Sequence, residues 1–279
     1  MAVTFSQHPS RVLRPASPVA LIQPLADRCR HIRRLGIKTI FTLNFTKRLS
    51  RLTPSEFVSQ VLFRQWNVRG VVVGRDFRFG RGRAGTVTDL RELLKARRAA
   101  VYAVSPICLG RRVIQSTAIR RDIQAGRLAE ARRMLGRAVE VSGRVVRGAG
   151  IGARLGARTV NVEPGNELLP RQGVYAGWMD RAGVGRAPGR KRPVVLNLGV
   201  APTVQSRRRV LLEAHVIDGR RVVYHPGESV RVDLAAFLRP ERKFTTAELL
   251  SRAIQKDITR AIGIVRGRCE PGGKPRRKS

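Results

Sequence analysis

Residues 143–161 hold the side chains whose types and spacing best suit chemistry. Five glycines, Gly143, Gly148, Gly150, Gly152 and Gly156, fall within fourteen residues, and the run closes on Thr159-Val160-Asn161. Glycines let a backbone curl tightly and turn its N–H groups towards an anion. Thr159 and Asn161 are two apart in a β-branched setting, so on a strand the hydroxyl and the amide share a face, where they suit a hydrated metal or a phosphate. The same pattern also describes a glycine-bent barrel strand with a surface Thr and Asn. Spacing alone leaves both readings open.

Three further groups have the right chemistry. The loop Gly74-Arg75-Asp76-Phe77-Arg78-Phe79-Gly80 follows an apolar run at 68–73. A loop after a parallel strand lies at the carboxyl edge of the sheet, where open α/β sheets bind ligands. Ser116, Thr117 and Arg120 open a helical stretch; hydroxyls and an arginine there suit a phosphate, while Ser116 serves equally as an N-cap. Glu213 lies in the strand-like Leu211-Leu212-Glu213-Ala214-His215. By itself it reads as an outward-facing strand carboxylate.

The elements that must position these residues divide the chain. Residues 2–5 read as a strand, 25–35 as a helix stopped by Gly36, and 37–45 as a near-continuously apolar strand of the kind buried in parallel sheets. Thr53-Pro54-Ser55-Glu56 is a capping box with proline at the first helical position, opening a helix to about Gln65. A strand at 68–73, a helix at 88–96, a strand at 100–106 and helices at 116–125 and 128–135 complete an α/β half. Beyond Gly136 the pattern changes to short β-branched runs between turns, at 139–146, 159–162, 173–179, 194–198, 210–217, 222–224 and 230–237. Many short strands with Gly and Pro turns predict a closed antiparallel barrel. Thr245, with Glu248 three later, is read as the cap of a last amphipathic helix to about Ile262, and the basic tail from Cys269 reads as disordered.

Composition bounds the partners. The chain has 279 residues, 42% of them hydrophobic, and a formal net charge of +37 carried mainly by arginine. Such charge attracts polyanions, nucleic acid among them. Yet the arginines are spread along the chain, and aromatics, at 5%, are sparse for a single-strand binder. Cys29, Cys108 and Cys269 are isolated and lack His at metal spacing, which argues for a reducing, cytoplasmic setting. No apolar run reaches the ~20 residues of a membrane span, and no signal-peptide core is present in the sequence given.

Seven segments then occur in a known order: VVVGRDFRFGRGRAG, IQSTAIRRDIQAGRLAEARRMLGR, GRVVRGAGIGARLGARTVNV, LPRQGVYAG, LNLGVAPTV, LLEAHVID and FLRPERKF. Together they resemble the bacterial bifunctional riboflavin kinase/FAD synthetase family over nearly the whole chain. The resemblance implies an α/β plus β architecture: an incomplete Rossmann-like nucleotidyltransferase domain over 1–136, a small antiparallel flavokinase β-barrel with a C-terminal helix over 137–265, and a basic tail over 266–279.

For the barrel, the resemblance implies ATP-dependent phosphorylation of riboflavin to FMN. Gly148, Gly150, Gly152 and Gly156 would line the ATP, Thr159 and Asn161 would hold Mg²⁺ with the ATP, and Glu213 would be the catalytic carboxylate. The family's proline is replaced by Arg158 and its arginine by Ala153, departures expected to lower activity without abolishing it. For the N-terminal half, Gly74, Asp76, Phe77, Phe79, Gly80, Ser116, Thr117 and Arg120 correspond to nucleotidyltransferase positions. The family's His-x-Gly-His pair has no counterpart, since the four histidines, His8, His31, His215 and His225, are scattered. Alignment puts Met1 just after the family's first strand, histidine loop and first helix. The expectation is a chain that starts downstream of its true beginning, or a degenerate adenylyltransferase, with FAD synthesis from FMN lost or much reduced. Two other classes stay open at this point: a basic nucleic-acid-binding protein, or a non-catalytic flavin-binding regulator, on the same scaffold.

Overall fold

The computed structural model describes residues 1–147, 159–182, 191–202, 208–219 and 223–267. It divides into two compact units, one built from Met1–Ala20 and Arg28–Ile114, the other from Leu21–Asp27 and Gln115 onwards. Among the described residues no helix is long and apolar enough to cross a membrane.

The first unit is α/β. Strand β1 (Ala2–Phe5) pairs in parallel with β2 (Ile40–Leu43), and β3 (Gly70–Gly74) with β4 (Ala100–Val104). These are separate two-stranded sheets. The buried parallel strand expected at 37–45 is therefore shorter, and Phe41 is exposed on it, because a two-stranded sheet leaves an apolar strand without cover on both faces. The same holds for Val72, Tyr102 and Val104 of β3 and β4, while Val71, Val73 and Val101 pack inward.

Local chemistry sets the helices. A short α1 (Ser10–Leu13) is followed by α2 (Leu25–Arg34) and by α3 (Lys47–Arg51), which the sequence reading did not anticipate; Thr46 caps it by accepting from the Leu49 N–H. The Thr53/Glu56 capping box forms as expected and opens α4 (Pro54–Glu56), which continues as a wider π-type helix over Phe57–Gln65. A second capping box, Thr86 with Asp89, starts α5 (Val87–Lys95). Val58, Leu62, Phe79, Leu90 and Leu94 close the core beneath β3. A small hairpin, β5 (Cys108–Leu109) with β6 (Arg112–Val113), also escaped the sequence reading.

In the second unit α6 (Ser116–Gln124) and α7 (Leu128–Leu135) lead into the barrel. Asp122 is fully buried at the end of α6 and is held by Arg127 through Nε at 2.9 Å and Nη2 at 2.7 Å. The barrel strands are β7 (Val139–Val146), β8 (Thr159–Pro164), β9 (Gly173–Arg181), β10 (Arg192–Pro202), β11 (Arg208–Val216) and β12 (Ser229–Arg239). They close in the order β10-β11-β8-β7-β12-β9 with every pairing antiparallel. Alternation fills the inside: Val162, Leu196, Leu198, Leu212, Ala214 and Tyr175 are buried there.

The strand expected at 222–224 is not seen among its described residues. Val223 and Tyr224 are irregular, and Val222 lies outside the described residues. The last helix, α8 (Ala247–Gly267), is capped by Thr246 rather than Thr245, since the Leu249 N–H reaches Thr246 Oγ1 at 3.3 Å. It packs on the outer face of the barrel through Ala261 and Ile264, against Val174, Ala176 and Val195.

Candidate active site

The barrel register brings the candidate residues together. In β8 and β11 Asn161 lies opposite Glu213 and Thr159 opposite His215; in β10 Asn197 lies opposite Glu213 from the other side. Directly opposed residues share a face, and their Cβ atoms lie ~5 Å apart. Because the flanking Val162, Leu212, Ala214, Leu196 and Leu198 fill the inside, the row Asn161, Glu213, Asn197 stands on the outer face. Asn197 is also in register with Val174, which carries α8, so the row runs up to the edge of that helix.

Each side chain has a physical setting. Glu213 is exposed on the outer face, yet partial desolvation of its carboxylate against the barrel pushes it above the usual glutamate range, and the nearby charge of Glu241 pushes the same way. A carboxylate so raised is a better proton acceptor than an ordinary glutamate. Glu241 reaches the row from the segment after β12. Asn197 Nδ2 donates to its Oε1 at 3.3 Å, and its carboxylate fills the space over Gly199, where a Cβ would stand 2.6 Å from Oε1. That segment is anchored: Arg239 Nε donates to both carboxylate oxygens of the buried Asp257, at 3.2 and 3.0 Å, and its guanidinium lies over Phe244. Asn197 Oδ1 is buried and has no protein partner.

Thr159 and Asn161 offer a hydroxyl and an amide oxygen two apart on β8, both half-buried. These hard neutral donors fit Mg²⁺ held mainly by nucleotide phosphates, the usual arrangement for this ion. Among the described residues no group of three or more His, Cys, Asp or Glu forms a metal cage of its own. Gly148, Gly150, Gly152 and Gly156, with Ala153 and Arg158, lie outside the described residues.

The N-terminal candidates fall differently. Phe79 is buried in the core, stacked on Phe77 with ring centroids 5.7 Å apart, and touches Phe57 at 5.7 Å. Gly80 has φ +73°, and a Cβ there would stand 2.8 Å from the Pro54 nitrogen at the start of α4. Packing and backbone conformation thus account for Phe79 and Gly80 without a ligand. Gly74 and Asp76 are exposed at the end of β3, with Asp76 Oδ1 folded back over Gly74. In the second unit Ser116 and Thr117 are exposed on the first turn of α6. Ser116 is not the N-cap: Gln115 occupies that position and its side chain makes no capping bond. Arg120 is half-buried, and burial lowers its affinity for the proton.

Comparison with known proteins decides what this architecture belongs to. Residues 1–118 match the family model for FAD synthetase and residues 135–265 that for riboflavin kinase. The bifunctional riboflavin kinase/FMN adenylyltransferase of Escherichia coli K12 is 31% identical over 257 residues, 92% of this chain and 80% of that protein. The chain belongs to this bifunctional family. Its counterpart in Bacillus subtilis 168 is also 31% identical, over 93% of this chain and 80% of the relative. A crystal structure described as a macrolide-efflux protein from Streptococcus pneumoniae superposes with a TM-score of 0.80 at 26% identity, covering 93% of this chain and 82% of that one. Within the family frame, Asn197 and Glu241 were missed as functional candidates although they stand in LNLGVAPTV and FLRPERKF. Their signal is not in spacing: 44 residues separate them, and only barrel closure makes them neighbours.

Proposed function

We propose that the barrel is an ATP-dependent riboflavin kinase and that Glu213 is its general base. The observation that carries this reading is the outer-face row Asn161, Glu213, Asn197, in a chain whose residues 135–265 match riboflavin kinase. Glu213 accepts the proton of the riboflavin 5′-hydroxyl as its oxygen forms a bond to the γ-phosphorus of ATP; the bond from that phosphorus to the β,γ-bridging oxygen breaks, releasing ADP and FMN. Thr159 and Asn161 would hold the Mg²⁺ that accompanies ATP, and the ion would offset phosphate charge there. The glycines at 148, 150, 152 and 156 line the triphosphate, and the domains run 1–136 and 137–265.

Incubation with riboflavin, ATP and Mg²⁺, followed by separation of the flavins, yields FMN. Glu213→Gln lowers the rate about 10²–10⁴-fold, with riboflavin binding kept. Absence of FMN from the wild-type chain overturns the kinase reading, and an unchanged Glu213→Gln rate removes Glu213 from its role. FMN adenylylation is the family's second activity. Incubating the chain with FMN and ATP and looking for FAD tests that activity directly.

A further inference from the structure

Asn197 is the one polar side chain of the outer-face row that carries a buried atom without a partner. Its amide is not free to choose which end it presents. Glu241 is a pure acceptor when ionised, so the end of Asn197 that meets it at 3.3 Å must be the NH₂. The oxygen is thereby turned the other way, where it is buried and unpartnered. An acceptor left so is destabilising and is satisfied when a donor arrives. The neighbour in register is Glu213, so two acceptors of similar reach stand side by side. Glu241 is fixed in turn by the Arg239–Asp257 anchor and by the room over Gly199 that its carboxylate occupies.

Two adjacent acceptors on one face of the sheet match two adjacent hydroxyls. We propose that Asn197, oriented by Glu241, accepts a hydrogen bond from the hydroxyl next to the one phosphorylated, and so makes the site specific for a vicinal diol at the end of the acceptor's polyol chain. This inference rests on the kinase reading of the barrel. Asn197 is a substrate-contacting residue, whereas Glu241 is a positioning residue that acts through the amide. A site built around a substrate hydroxyl discriminates strongly against an analogue lacking it, because the buried protein group then stays unsatisfied.

The test compares riboflavin with 4′-deoxyriboflavin as acceptors for the full chain. Wild type prefers riboflavin in kcat/KM by about ten- to a hundredfold. Asn197→Leu, which keeps the size and removes the acceptor, reduces the preference to within about threefold. The preference is a ratio within one preparation, so partial misfolding does not distort it. Gly199→Ala pushes the flexible end of Glu241 away without a backbone clash and lowers the preference in the same direction. Glu241→Gln, which retains an acceptor oxygen, preserves more of the preference than Glu241→Leu. A preference that survives Asn197→Leu overturns the inference while leaving the kinase reading intact. Equal losses in Glu241→Gln and Glu241→Leu overturn the orienting role of Glu241. No FMN from riboflavin with wild type overturns the kinase reading, and this inference with it.

Discussion

At the scale of single residues, like side chains carry different duties according to what surrounds them. Glu213 and Glu56 are both glutamates that belong to a sequence motif. Partial desolvation and a like charge raise one, whereas backbone and hydroxyl hydrogen bonds from Thr53 lower the other. The first is suited to taking a proton and the second to starting a helix. Gly80 shows the converse, a residue that resembles a ligand-binding glycine yet is required by geometry. Gly80→Ala meets both left-handed strain and the Pro54 ring, and lowers stability by about 1–3 kcal/mol, read from denaturant midpoints at constant m-value. A loss below a few tenths of a kcal/mol would return Gly80 to the list of ligand contacts.

At the scale of elements, two capping boxes start the helices that wall the core of the first unit. Asp89 accepts from the Thr86 N–H and hydroxyl, both at 2.8 Å, and these bonds hold its carboxyl below the usual aspartate range. A folded-state value below the unfolded one gives stability that is present above the ordinary aspartate value and lost as pH falls through the depressed one. The stability difference between wild type and Asp89→Asn is therefore full near neutrality and shrinks below about pH 4. A difference that grew on acidification would contradict the capping role. In the barrel, the comparable fixed point is Arg239 with the buried Asp257. Replacing Asp257 by Ala leaves an unpaired guanidinium, costs about 3–5 kcal/mol in thermal or denaturant unfolding, and loosens the segment that carries Glu241.

At the scale of the whole molecule, the charge of +37 is the dominant property. Membership of a flavin-enzyme family gives the nucleic-acid reading no support, and the charge acts chiefly as self-repulsion, which opposes the compact state. Melting temperature should therefore rise between low and physiological ionic strength, as the Debye length shrinks from ~30 Å at 0.01 M to ~8 Å at 0.15 M. A fall over that range would show that attractive pairs, such as Arg231 with Asp180 and Lys191 with Asp233, outweigh the repulsion.

By itself the sequence determined what depends on neighbours in the chain: the Thr53 capping box, the change from helical to strand periodicity near Gly136, the barrel strands from 139 to 237 and the family, from seven ordered segments. It also pointed to Thr159, Asn161 and Glu213, though only the resemblance gave them roles. Where local signals compete, it erred by a residue, as in placing the last cap on Thr245 rather than Thr246, or overreached, as in giving Val223 and Tyr224 to a strand. Tertiary structure alone decided which residues face one another. Closure of the barrel sets Asn161, Glu213 and Asn197 in one row and brings Glu241 over Gly199, because register across strands depends on pairing between segments far apart in sequence. It also moved Phe79 from candidate ligand contact to core, since burial is a property of the packed molecule and leaves no mark on the spacing of a motif.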